Sequence, residues 1–386
     1  MESDKSFEQI LAFIRKSFQK PEGFIPLHAP YFGGNEKKYV LDTIESTYVS
    51  TVGAYVNRFE EMMQEITGAK FAIATTNGTI ALHLALLVAG VKPGDAVLTQ
   101  PLTFAATANA IAHAGGLPVF VDVDRNTLGI SPVALKEWLK ENAMVKEGAC
   151  FIKSTGQRIT ACVPMHTFGF PLHIEEVVDV CSMYNIKVVE DAAESLGSFV
   201  GGQHTGNFGL LATFSFNGNK TVTSGGGGAV ITNDVALGKL AKHLSTTAKV
   251  AHAYEFSHDM LGYNYRMPNL NAALACAQLE QLESFLKNKR ELANNYAGFF
   301  ANRSETFVTE RPGTVANYWL NTILFNSHEE QQSFLNYSNA QKVMTRPIWR
   351  LMNKLPMYKN CIAGPLDNAE WLEDRVVNIP SSFRPS

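Results

Sequence analysis

Lys220 stands in the run Ser215-Phe-Asn-Gly-Asn-Lys220-Thr-Val-Thr-Ser-Gly225, and Asp191 closes the apolar run that begins at Ile186. A strand-end carboxylate followed by one lysine in a polar, glycine-rich turn is the pair that pyridoxal phosphate (PLP) chemistry requires. The lysine amine forms a Schiff base with the cofactor aldehyde. The carboxylate keeps the pyridine nitrogen protonated, so the ring can accept electrons. The alternative is a surface lysine beside a flexible loop. The flanking Thr213-Phe-Ser-Phe216 reads as a buried strand, which sets the lysine at the edge of a core and favours the cofactor reading.

Other residues fit the same chemistry. Asn77-Gly78-Thr79 falls between a strand and a helix, where free backbone N–H groups hold a phosphate at a helix N-terminus. An ordinary helix cap is the competing reading of that tripeptide taken alone. Ser215 alternates with Phe214 and Phe216, so its hydroxyl faces away from those rings. Phe104 offers an aromatic face to stack on a pyridine ring, with a helical core position as the alternative. Gly225–Gly228 lacks the G-x-G-x-x-G spacing of a dinucleotide loop and is read instead as room for close backbone packing.

In order and spacing, Asp191-Ala-Ala-Glu-Ser195, Ser215-Phe-Asn-Gly-Asn-Lys220 and the glycine-rich hairpin resemble the DegT-type sugar aminotransferases of PLP fold-type I. Asn77-Gly-Thr79, Pro101-Leu-Thr-Phe104, Val119-Phe-Val-Asp122 and Gly262-Tyr-Asn-Tyr-Arg-Met267 extend the likeness over nearly the whole chain. The resemblance implies PLP as cofactor, with Lys220 and Asp191 catalytic. Gly78, Thr79, Phe104, Glu194 and Ser215 are implied to bind it, Ser215 at the phosphate. Glu194 departs from the glutamine common there. Asn264 is implied to reach the phosphate from a second subunit, making a homodimer with shared sites. His166 matches an active-site position. Thr345-Arg-Pro-Ile-Trp349 offers Arg346 to a diphosphate and Trp349 to a sugar or base.

The resemblance further implies transfer of an amino group from glutamate to a UDP- or GDP-linked 4-keto-6-deoxy-N-acetylglucosamine, for a surface glycan or legionaminic acid. Phe32-Gly-Gly-Asn-Glu36 and Ser50-Thr-Val-Gly53 carry that finer likeness. A PLP sugar dehydratase or deoxygenase is the first rival, and Lys220 counters it because such relatives carry histidine there. A non-catalytic regulator on the same scaffold is the second rival.

Positioning these residues takes alternating strands and helices. Strands are predicted at Lys70–Thr75, Ala96–Gln100, Leu117–Asp122 and near 160–164, 186–190 and 212–216. Helices are predicted at 6–18, Thr79–Ala89 and Thr103–Ala114, and Ser131-Pro132 supplies an N-cap followed by proline at the first helical position. Short apolar strands between helices predict an α/β fold, a mostly parallel sheet covered on both faces. One long helix is expected from Pro268 to about Phe300, leading into a smaller α+β domain. The expected division is 1–270 and 271–386.

With 386 residues, the chain exceeds the roughly 250–300 at which single cores stop growing. Hydrophobic residues at 46% and charged residues at 18% mark a globular protein. A net charge of −3 gives no reason to expect nucleic acid or an anionic membrane as partner. Five scattered cysteines lack metal-ligand spacing and fit a reducing cytoplasm. Met1-Glu-Ser-Asp-Lys5 lacks a signal-peptide core, and the apolar run Ile80–Val91 is too short to span a bilayer. The expectation is a cytoplasmic enzyme.

Overall fold

The computed structural model describes residues 2–385, with side chains from Lys5 onward; Met1, where the N-terminal reading begins, lies outside them. A nine-stranded sheet forms the larger layer. Its main path runs Phe71–Thr75, Gly228–Thr232, Leu211–Ser215, Lys187–Asp191, Arg158–Val163, Ala96–Thr99 and Leu117–Phe120. Gly228–Thr232 runs antiparallel to both of its neighbours, and the other pairings along this path are parallel. The hairpin Ala143–Lys146/Ala149–Ile152, absent from the predicted strands, adds to the start of Arg158–Val163.

Alternation along the strands sorts side chains to opposite faces. Ile73, Leu211 and Val230 pack with Leu82, Leu86, Ile111 and Leu244 from the helices on one face. Ala72, Ala212, Phe214 and Ile231 pack with Phe59, Met63, Ala275 and Phe285 on the other. The sheet is thus covered on both sides, as expected. Each fully buried Leu, Ile or Phe contributes about 1.5–3 kcal/mol, so these faces fix the strand register.

The expected long helix is two helices, Asn269–Leu279 and Leu282–Phe300. Gln281 leaves helical geometry at φ −101° between them. Its amide donates to the buried Glu36 carboxylate at 2.7 Å, and Gln278 does so at 2.6 Å. Both amides satisfy that buried carboxylate beside the break.

A second sheet pairs Thr306–Phe307, Asn321–Leu324, Val376–Ile379 and Arg346–Pro347, all antiparallel. The predicted N-terminal helix is present as Glu2–Ser17. Its Phe7, Ile10 and Ile14 pack into the same cluster as Leu292, Tyr296, Phe325 and Phe334. Among the described residues, no helix is long and apolar enough to cross a membrane.

Candidate active site

A cavity of about 310 Å³ lies where the parallel strands end, bringing together Gly78, Thr79, Phe104, Asp191, Glu194, Ser215, Lys220 and Trp349. Ligands bind beyond the carboxyl ends of strands in open α/β sheets. At one end of the cavity, Asn77 caps the helix Gly78–Val88, its side chain accepting the Ile80 N–H at 2.9 Å. The cap reading of the tripeptide is thus observed, and the first helical N–H groups it leaves without intrahelical partners face the cavity as donors. Gly78 is required there: a Cβ would stand 2.7 Å from the Ser215 Cβ. Ser215 ends its strand opposite Gly228, where a Cβ would overlap the Asn77 carbonyl. The glycine hairpin thus permits the close packing expected of it, and hydroxyl and helix terminus converge.

Asp191, the last residue of its strand, is buried against the cavity. It accepts from Thr107 Oγ1 at 2.7 Å and from the Ala193 N–H at 3.2 Å. Burial pushes its carboxyl above the ordinary value, and these two hydrogen bonds offset part of that rise. Asp191 forms no ion pair among the described residues. A buried carboxylate with no cation in contact fits a ligand that carries a positive charge to it. With the phosphate-type cradle at the helix terminus and the nearby amine, the residues present fit PLP.

Lys220 reaches the cavity from the turn after Ser215. Its Nζ donates to Glu194 Oε1 at 3.0 Å and lies 3.8 Å from the centroid of the Trp319 ring. Glu194 also accepts the Phe168 N–H at 2.8 Å. Burial pushes the Glu194 carboxyl up to about 7 against the opposing pull of Lys220. Phe168 holds a left-handed conformation at φ 56°, which aims its N–H at that carboxylate.

Phe104 is the extended N-cap of the helix Ala105–His113, one step outside the predicted helical core position, and is 53% exposed. Its ring lies 6.1 Å from that of Trp349, which packs 4.9 Å from Phe168. Phe104 and Trp349 wall the cavity.

Two expected substrate contacts are not brought there. His166 is fully buried, with Nε2 3.0 Å from Glu190 and Nδ1 accepting the Leu172 N–H at 3.3 Å. Met165 faces the cavity and the next residue in the turn points away from it. Arg346 is exposed and donates to Asn339 Oδ1 at 2.9 Å and to the Thr345 carbonyl at 2.8 Å. Its short strand pairs with Val376–Ile379 and turns the guanidinium over the helix His328–Ala340. Asn264 is exposed, outside this chain's own cavity, beside Arg266 Nε at 3.1 Å.

Thr107 and Trp319 escaped the sequence reading. Thr107 sits within one turn of Phe104 on the same helix, a spacing that could have flagged it. No local signal marks Trp319, since it enters from a distant segment of the chain.

Residues 30–384 match the DegT/DnrJ/EryC1/StrS aminotransferase family. The chain belongs to that family. It is a PLP-dependent aminotransferase. It is 36% identical over 361 residues to a GDP-perosamine synthase of Escherichia coli O157:H7, covering 93% of each chain. To a GDP-perosamine synthase of Vibrio cholerae it is 34% identical, with 92% of this chain and 94% of the relative covered. The aminotransferase TlmJ of Streptoalloteichus hindustanus shares its fold at a TM-score of 0.85 and 24% identity, with 94% and 95% coverage. Helicobacter pylori PseC, an aminotransferase of pseudoaminic acid biosynthesis, shares it at 0.83 and 23%, with 93% and 94% coverage.

Proposed function

We propose that this aminotransferase moves an amino group from glutamate to C4 of a nucleotide-linked 4-keto-6-deoxy sugar, for a surface glycan. The observation that carries the reading is the single cavity joining the Lys220 amine, the unpaired Asp191 carboxylate and a helix terminus beneath aromatic walls. The GDP-perosamine synthases among the relatives support a sugar linked to GDP. The N-acetylglucosamine-derived acceptor of the legionaminic branch, carried by UDP or GDP, rests on the sequence likeness alone.

When bound, PLP supplies the electron sink that makes the amino donor's Cα–H acidic. The backbone of Gly78 and Thr79 and the Ser215 hydroxyl hold its phosphate. Asp191 would hold a proton on the ring nitrogen, and Phe104 would pack against the ring. Lys220 would hold the cofactor through its amine, and that amine, when free, would serve as the base that moves a proton at the substrate Cα. Glu194 accepts the Lys220 N–H and keeps that amine from turning away. Phe104 and Trp349 exclude water and give the sugar apolar area.

The purified enzyme, given glutamate and a panel of 4-keto-6-deoxy sugars on GDP and UDP, with and without the N-acetyl group, tests this reading. One aminated sugar per 2-oxoglutarate released is the expected result. Turnover restricted to the GDP sugars lacking the N-acetyl group would remove the legionaminic branch. No turnover with any 4-keto sugar would overturn the function.

We further propose a homodimer in which Asn264 reaches the phosphate in the partner's site. The stretch leading to it leaves Tyr254 at 80%, Phe256 at 81% and Leu261 at 84% exposed, an apolar surface of the kind that marks an interface. A shared site predicts complementation. Lys220→Ala and Asn264→Ala, each inactive, should recover up to about a quarter of wild-type activity when subunits exchange, because one site of each heterodimer carries neither lesion. Absence of recovery despite exchange shown by mass would remove the shared site. The division into 1–270 and 271–386 is likewise proposed, with the helix Glu2–Ser17 docked on the second unit.

A further inference from the structure

Helix Leu282–Phe300 buries a lysine that the chemistry above does not use. Lys289 is 1% exposed, and no carboxylate pairs with it among the described residues. Its ammonium donates to three carbonyls: Tyr318 at 3.3 Å, Trp319 at 3.1 Å and Ser381 at 2.7 Å. An uncompensated buried ammonium is costly, so a position that keeps one needs a reason beyond packing. Burial alone pushes its pKa down to about 7.

Two of the three carbonyls, those of Tyr318 and Trp319, belong to an unusual turn, and the third, that of Ser381, ties the same ammonium to the C-terminal segment. Tyr318 is left-handed at φ 48°, a conformation that costs a bulky residue free energy and persists only when its surroundings hold it. Asn317 anchors the turn from the other side. Its Nδ2 donates to the carbonyls of Glu194 at 2.8 Å and Leu196 at 2.9 Å, and its Oδ1 accepts the Trp319 N–H at 2.8 Å. Arg290, next along the helix, stacks its guanidinium 4.8 Å from the Tyr318 ring. The turn delivers Trp319, whose indole N–H donates to the Asn219 carbonyl at 2.7 Å and whose ring faces the Lys220 amine at 3.8 Å.

We propose that Lys289 is a positioning residue for the reaction: its ammonium clamps the Tyr318–Trp319 turn, and that turn sets the Trp319 face on which the Lys220 amine rests. The role rests on the reading of Lys220 as the residue that carries the cofactor. A displaced turn lets that amine drift, and a misplacement near 1 Å at a reacting group costs roughly 10²-fold in rate. Lys289 acts only through Trp319 and touches neither substrate nor cofactor.

The test is a double-mutant cycle on the intact enzyme with Lys289→Met and Trp319→Leu, measured below the melting temperature of every variant. Two rates are read: kcat for the glutamate half-reaction, and borohydride-trapped pyridoxylation of Lys220 in the apoprotein, followed by peptide mass. Each single change should lower both rates roughly 10- to 100-fold, with KM for glutamate within about threefold. The double variant should be no worse than the poorer single variant by more than about twofold, because both changes break one link. A purely structural lysine would lower the melting temperature and leave the two losses multiplying, which would overturn the proposal.

Should Lys289→Met fail to fold, Lys289→Gln keeps two N–H donors without a charge to bury. It should then lose less than tenfold alone and show the same non-additivity with Trp319→Leu. Wild-type rates in a folded Lys289→Gln/Trp319→Leu pair, or fully multiplicative losses, would sink the clamp. Pyridoxylation of a different lysine in the wild-type protein would instead overturn the assignment of Lys220, so the two failures read differently.

Discussion

Lys220→Ala should lose turnover by a factor on the order of 10⁴ or more, because in the proposed role one side chain supplies both the covalent hold on the cofactor and the amine that moves the proton. Borohydride treatment of the wild-type holoenzyme, followed by peptide mapping, should place the pyridoxyl mass on Lys220, and the variant should take up none covalently. The other lysines of this region are spoken for. Lys153 Nζ donates to the carbonyls of Lys140 and Glu141 at 3.0 and 2.8 Å, and Lys187 Nζ donates to the Ala89 carbonyl at 2.6 Å. Neither lines the cavity. Cofactor should still bind the variant reversibly, because the helix terminus at Gly78 and the Ser215 hydroxyl proposed to hold its phosphate are untouched. Turnover in Lys220→Ala within about a hundredfold of wild type, or label on Lys153 or Lys187, would remove the central assignment.

The contrast between what the chain announces and what it conceals follows sequence distance. Asp191, Ser215 and Lys220 are legible because each sits at or just past the end of a strand whose apolar alternation is plain, and strand ends are where this architecture gathers ligands. Phe104 and Asn77 are legible for the same reason. Trp319 and the Tyr318 turn are not, since they reach Lys220 through tertiary packing of a segment whose local pattern shows only a strand edge. His166 and Arg346 mislead in the opposite direction. A histidine or arginine in the right segment has two sides to point to: His166 turns to Glu190 while its neighbour Met165 lines the cavity, and Arg346 turns to Asn339. The buried Glu36 carboxylate beside the break at Gln281 is hidden too, since it lies far back in the sequence.

Asp191→Asn should lower kcat for the glutamate half-reaction on the order of 10³-fold, about 4 kcal/mol of transition-state stabilisation. The amide keeps the shape of the carboxyl and can still accept the 2.7 Å hydrogen bond from Thr107. What disappears is the negative charge that holds a proton on the ring nitrogen. The carboxyl is buried and lacks an ion pair among the described residues, so its charge acts at low dielectric and at full strength once a cation lies opposite. Without ligand, burial raises the Asp191 pKa, so its charge is lost as pH falls through that raised value. A bound cation favours the charged form and should extend the active range to lower pH. Rate against pH therefore separates two explanations of a damaged variant. Because the amide does not titrate, loss of the charge lowers the plateau at every pH and also removes the acid limb set by the Asp191 carboxyl, whereas a change elsewhere leaves that limb in place. An Asp191→Asn enzyme within tenfold of wild type across the whole profile would show that the ring nitrogen needs no carboxylate partner here. In that case Glu194, with its carboxyl pushed up to about 7 and its contact to the Lys220 amine, becomes the acidic group on which the proton chemistry turns.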